Sequence, residues 1–364
     1  MHLMGAYLLS DKGQAQAPAF FKTFSPNGEV HMTKPIMKML ATAMAGALAI
    51  GLAGCGDKEA PKSAAKQELT PIGIVQLVEH DALDAANRGI VDGLAERGFK
   101  DGVNIKLDKQ NAQADQSNLH NIAQRFVSNK DKLIFAIATP AAQSVAGATK
   151  DIPIVATAVT NFEVAKLVAS NEKPGGNVTG VSDINPVAEQ VELLVKLVPS
   201  TKTIGTIYNS SEVNSEYQIK LLRDVAAKMN LKVVAATVTT VNDLQQAINS
   251  IKDKVDAVYL PTDNVVASAL PALMKAALPA KLPVIAAEGG MVRSGALASI
   301  AIDYYTLGKM TGQMGADILE GKAKPADMPI QTQHADNIIV NMKTAKEIGL
   351  TIPEDVLAKA TKVE

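Results

Sequence analysis

The chain has 364 residues, 47% of them hydrophobic and 4% aromatic, with a formal net charge of −1. That apolar share can fill sizeable cores, and a near-neutral chain with no basic block makes nucleic acid an unsuitable partner. One cysteine excludes disulfides within the chain and any Cys-based metal site, and there is no tryptophan.

In chain order, residues 1–36 mix Pro, Phe, Gly and polar residues with no helical or strand period. Lys34 and Lys38 then flank Met37 ahead of an apolar run, Met39 to Leu52. The run is about 14 residues, short of the roughly 20 that a membrane-spanning helix needs. A basic start, a short apolar core and small residues at its end are the parts of a secretory signal. Here it ends Leu52-Ala53-Gly54-Cys55, which resembles the lipobox of bacterial lipoproteins. That resemblance implies acylation of Cys55 and removal of residues 1–54 as an upstream extension plus signal peptide, with Met37 as a second possible start. The competing reading is a buried helix ending in a chance cysteine. Gly56 to Thr70 is small, charged and Pro-containing, so residues 55–70 are expected to form a flexible tether. The remainder predicts about two domains.

From Pro71 the chain alternates short apolar runs with amphipathic stretches. Pro71–Val78 is a predicted strand, Asp84–Gly98 a helix, Asn104–Lys109 a strand and Gln116–Ser128 a helix with Leu119, Ile122, Ala123 and Phe126 in register. Leu133–Ala138, Pro140–Ala148 and Ile152–Ala156 continue the pattern as strand, helix and strand. It breaks at Lys173–Asp183, where Pro174 precedes two glycines. It restarts with Val187–Leu197 (helix), Thr203–Tyr208 (strand), Glu216–Met229 (helix), Lys232–Thr237 (strand) and Leu244–Ile251 (helix). Ala257–Leu260, a helix from Val265, Val284–Ala287, Ala298–Ile302, a helix over Gly308–Gly321 and a strand over Asn337–Asn341 follow. Near-continuous apolar strands alternating with helices predict parallel sheets covered on both faces. The expectation is an α/β chain of two doubly wound lobes joined by hinge strands. Residues 71–183 plus about 304–330 form the N-terminal lobe, and 184–303 plus about 331–364 the C-terminal lobe.

No dinucleotide fingerprint, phosphate-binding loop or nucleophile-elbow motif is present. The five histidines never pair at metal spacing. Nothing in the sequence calls for an enzyme, a cofactor or a metal. Polar residues do cluster just after the predicted strands, where doubly wound sheets bind ligands. Gln76, Glu79 and His80 follow the first strand; Thr139 and Ala141 follow the third; Thr157 and Thr160 follow the fourth. In the second half, Asn209, Ser211, Glu212, Asn214 and Ser215 follow one strand, Thr262, Asp263 and Asn264 the next, and Glu288 the one after. Ordinary helix capping is the competing reading at each position. It accounts poorly for Glu288 beside two glycines and for the density of polar groups between Asn209 and Glu216.

Several of these stretches carry a family resemblance: Gln76-x-x-Glu79-His80-x-x-Leu83-Asp84, Pro174 to Asp183, Tyr208-Asn209-x-x-Glu212-x-Asn214-Ser215, Pro261-x-Asp263-Asn264 and Ile302-Asp303-Tyr304-Tyr305-x-x-Gly308. Together they resemble the substrate-binding lipoproteins of ABC importers in the tryptophan/tyrosine-binding group. The resemblance implies a type I periplasmic binding protein, monomeric and extracytoplasmic. It would close on an amino acid, aromatic in that group, and dock with a membrane permease. A zwitterion needs donors for its carboxylate, which hydroxyl-bearing helix starts at Thr139–Ala141 and Thr160 would supply. It also needs an anion for its ammonium, for which Asp263, Glu288 and Asp303 are available. A branched-chain amino acid or a sugar is the alternative ligand, the sugar disfavoured by the absence of tryptophan. A ligand sensor of the same fold is the alternative role.

Overall fold

The computed structural model describes residues 68–364. The expectations for the signal segment, for Cys55 and for most of the tether fall outside the described residues.

The first sheet is built from β1 (Thr70–Gln76), β2 (Ile105–Asn111), β3 (Leu133–Ile137), β4 (Ile154–Val159) and β5 (Val178–Ser182), with α1 (Asp81–Glu96), α2 (Gln116–Ser128) and α3 (Thr139–Ala148) between them. The chain then crosses to a second set: α4 (Val187–Leu197), β6 (Thr203–Asn209), α5 (Val213–Lys228), β7 (Lys232–Val238), α6 (Leu244–Ile251) and β8 (Ala257–Leu260). That set continues through α7 (Asn264–Ser268), α8 (Leu270–Ala277), β9 (Val284–Ala286), α9 (Gly289–Arg293) and β10 (Ala298–Ala301). It returns as α10 (Tyr304–Leu319) and β11 (Gln331–Thr332), and crosses a third time to β12 (Asn337–Asn341), α11 (Met342–Ile348), α12 (Glu354–Leu357) and β13 (Ala360–Val363).

The first sheet runs β11-β5-β4-β3-β1-β2 and the second β13-β12-β10-β9-β8-β6-β7. Every pairing is parallel except β10 with β12. Within each, the first five strands in sequence follow the doubly wound order in which a ligand sits beyond the carboxyl ends of the strands. Strand β8 shows why the expected pattern held. Ala257 and Tyr259 pack into one apolar cluster, Val258 and Leu260 into another on the opposite face. Side chains alternate sides along a strand, so a strand covered on both faces reads as a continuous apolar run.

One stretch departed from the sequence reading. The break at Lys173–Asp183 contains β5, buried along its whole length. Its Thr, Gly and Ser residues mask the period. Gly180 is needed because a Cβ there would lie under 3.0 Å from the Ala156 carbonyl oxygen, and Thr179 Oγ1 finds its acceptor in the Met328 carbonyl at 2.8 Å. The contact of α1 with α10 docks the returning helix onto the first sheet. At Gly89 and Gly308 a Cβ would meet the facing helix's backbone carbonyls at under 3.0 Å. Only glycine at these two positions lets the helices approach so closely.

Candidate functional site

The carboxyl ends of the two sheets face one another, and a narrow, nearly closed cavity lies between them. His80, Leu83 and Ala158 come from the first sheet's side, Thr262, Asp263, Asn264, Ala267, Glu288 and Met291 from the second. Asp183, on the first crossing, and Tyr304, just past the second, complete the wall. A separate, wider cleft is lined by Leu77, Pro140, Asn209, Glu212, Val241 and Val265.

On the second side, Glu212, Asp263 and their neighbours form one buried polar network. Asp263 caps α7 by accepting from Val266 N (2.9 Å), and accepts from Asn209 N (2.6 Å) and Ser215 Oγ (2.7 Å). Glu212 accepts from Asn264 Nδ2 (2.5 Å) and Asn214 Nδ2 (3.1 Å). Burial pushes both carboxyls up, Glu212 to about 8, with the Asp263 charge adding to the effect on Glu212. Asn209 accepts from Ser211 N and Oγ through its amide oxygen, and Ser211 is exposed in the wider cleft. The density of polar residues between Asn209 and Glu216 is thus the making of this network.

Glu288 is a helix cap after all. It accepts from Gly290 N (2.5 Å) and Met291 N (2.8 Å) at the start of α9. A glutamate is long for this role, but Gly290 makes room, because a Cβ there would stand 2.8 Å from Glu288 Oε2. Desolvation pushes its carboxyl up to about 7 against those two hydrogen bonds. Burial likewise raises Asp183, opposed by the hydrogen bond from Tyr304. The titratable base in this cavity, His80, is held down by desolvation despite a contact to Asn264 Oδ1 at 3.3 Å. The cavity wall therefore concentrates carboxyl groups and carries no lysine or arginine of its own.

On the first side, Thr139 starts α3 and Thr157 lies in β4; both hydroxyls are buried and have no partner. Ala141, also fully buried, packs in the first turn of α3. The backbone is strained here. Ala138 sits at φ 86° and Ala158 at φ 54°, where only glycine is comfortable, and strain of this kind collects at ligand clamps. The β4–β5 register shifts between Thr157 and Val159, which turns Ala158 into the cavity. Thr160 reaches across to Thr262 Oγ1 (3.3 Å), and Gln218 bonds Thr262 (2.6 Å).

Three of the expected residues lie elsewhere. Gln76 is bonded to Asp84 and Asn87 and, with Glu79, faces a separate polar groove beside Arg88 and Lys109. Asp303 is exposed and caps α10 through Tyr305 N (2.9 Å). Asp183, Tyr304, Ala158 and Gln218 were not singled out as site residues by the sequence reading. Asp183 and Tyr304 do belong to the motif stretches, and their position beside the lobe crossings was the available signal. Among the described residues no group of three or more His, Cys, Asp and Glu could hold a metal ion. No helix among them is long and apolar enough to cross a membrane.

Two mostly parallel sheets joined by three crossings, with a cavity between their carboxyl ends, define a type I periplasmic binding protein fold. The profile of the ABC transporter substrate binding protein family matches residues 71–364, and the chain belongs to that family. It is 45% identical over 320 residues to a tyrosine-binding protein of Clostridioides difficile (strain R20291), covering 86% of this chain and 92% of that one. A structure of an ABC domain in complex with L-Trp from Streptococcus pneumonia superposes with a TM-score of 0.79 at 42% identity, covering 82% of this chain and 100% of that chain. A ligand-free, open structure of a substrate binding protein from Clostridium difficile is more similar in sequence, at 48%, yet its TM-score is 0.63, with 81% and 99% covered.

Proposed function

We propose that this chain is the extracytoplasmic substrate-binding subunit of an ABC importer, and that it closes on an aromatic amino acid. The observation that carries the reading is the interlobe cavity, whose wall holds buried carboxyl groups and no lysine or arginine. An ammonium group supplies the missing charge through charge-assisted hydrogen bonds. The α-carboxylate goes to the first lobe, where the N-terminus of α3 and the unpartnered hydroxyls of Thr139 and Thr157 offer donors. The side chain extends toward the wider cleft, between Leu77, Pro140, Val241 and Val265. Val241 is 43% exposed there, an apolar surface an aromatic ring would cover. The tyrosine-binding and L-Trp-bound relatives support the aromatic choice.

In this reading, residues 71–183 with about 304–330 and residues 184–303 with about 331–364 move as two lobes, and the stretch near Gly180–Pro186 is part of the hinge. Closure joins Thr160 to Thr262 and His80 to Asn264. The protein works as a monomer, is held to the membrane by a lipid on Cys55, and delivers its ligand to a permease. A melting screen of the twenty amino acids and several sugars tests the ligand class. Ligand at a hundred times its Kd should stabilise by about 2.7 kcal/mol. A melt shifted by a sugar and by no amino acid would overturn the reading.

A further inference from the structure

We infer that Asp183 is the residue that receives the ligand's ammonium group, so that the charge which defines the ligand is read at the hinge itself. This rests on the amino-acid reading above and names the position within it.

Of the four buried carboxylates around the cleft, three have both oxygens engaged. Asp263 holds Asn209, Ser215 and Val266; Glu288 holds Gly290 and Met291; Glu212 holds Asn214, Asn264 and the Val265 amide (3.4 Å). Asp183 differs. It is 3% exposed and lines the cavity. Its Oδ2 accepts from Tyr304 Oη at 2.8 Å, and its Oδ1 has no hydrogen-bond partner. A buried carboxylate oxygen left bare is costly, and the cost is removed by a donor arriving in the cavity.

The position has a mechanical meaning. Asp183 follows β5 on the first crossing, and Tyr304 opens α10 directly after the second. Their hydrogen bond ties two of the three crossings together. Thr160, beside Asp183, contacts Thr262 and Gln218 of the opposite lobe. An ammonium on Oδ1 would thus bind where the lobes pivot, with Asp263 and Glu288 closing over it from the second lobe. Asp183 binds the ligand; Tyr304 is the positioning residue that fixes the carboxylate's orientation.

The test is a cycle between protein and ligand, read by titration calorimetry. Wild type, Asp183→Asn and Tyr304→Phe are each titrated with L-tryptophan and with 3-indolepropionate, the same indole acid without the ammonium. Asp183→Asn should lower the preference for L-tryptophan over 3-indolepropionate by roughly a hundred-fold or more, the range for deleting one partner of a buried charge pair. Tyr304→Phe should lower it by roughly ten-fold, since one oriented hydrogen bond to a charged group is lost. The unliganded Asp183→Asn protein should melt no lower than wild type, because an amide in place of a desolvated acid relieves burial. Equal loss of both ligands, or unchanged L-tryptophan affinity, overturns the assignment while the amino-acid reading stands. A wild type that takes no amino acid overturns both.

Discussion

Raising the pH from about 5 to about 8 should destabilise the unliganded protein, and Glu288 should be a measurable part of the effect. Its carboxyl is 2% exposed and is pushed up from 4.5 to about 7, first by desolvation. Between those values the folded protein holds a proton that the unfolded chain has released. This contribution to stability is therefore complete below about 4.5 and is lost as pH rises through about 7. At about 1.4 kcal/mol per pH unit, the displacement amounts to about 3 kcal/mol. For a folded body of about 300 residues that corresponds to a fall in Tm of about 5 °C. Glu288→Gln removes the titrating group, so scanning calorimetry across this range should give a shallower decline of Tm for the variant than for wild type. Saturating L-tryptophan should flatten the wild-type decline too, because an ammonium in the cavity holds the carboxylates ionised. Identical slopes for wild type and Glu288→Gln would refute the electrostatic account of the cavity.

Gly308→Ala should separate α10 from α1, since its Cβ would fall under 3.0 Å from the Ala86 carbonyl. Overpacking of this kind costs about 1–3 kcal/mol, and urea unfolding should register it; an unchanged midpoint would contradict the packing described. Asp263→Ala strands the Asn209 and Val266 amides and the Ser215 hydroxyl, so chemical denaturation should show a loss of about 2–5 kcal/mol, and wild-type stability would mean that these donors find other partners. Cys55→Ser should move the protein from the membrane to the soluble fraction or leave an unprocessed precursor; a wild-type protein free of lipid on Cys55 would dispose of the anchor.

Much of the fold was legible in the sequence because both sheets are covered on both faces. Strands such as Leu133–Ile137, buried throughout, then appear as unbroken apolar runs between amphipathic helices. Strand β5 was hidden because its Thr179 and Ser182 are buried polar residues satisfied by the Met328 and Thr160 carbonyls, partners that no local pattern discloses. The candidate site was half legible. Position after a strand located His80, Thr262, Asp263, Asn264 and Glu288, which the structure brings to one cavity. The same rule also admitted Gln76 and Glu79, whose groove faces another way. Position after a strand does not tell which side of the sheet edge a side chain turns toward. Asp183 and Tyr304 owe their place to the lobe crossings, a property of how the two halves are connected, and Glu288 could be recognised as a cap only once Gly290 was seen to yield it space.

The most direct measurement is isothermal titration of the wild-type protein with L-tryptophan, L-tyrosine and L-phenylalanine, with tryptamine (no carboxylate) and 3-indolepropionate (no ammonium) as the paired controls. Saturable binding of at least one of the three amino acids at one site per chain, with both controls much weaker, is the predicted result. Binding of either control as tightly as the intact amino acid, or no heat from any of the three at millimolar concentration, would contradict a cavity built to hold both ends of a zwitterion.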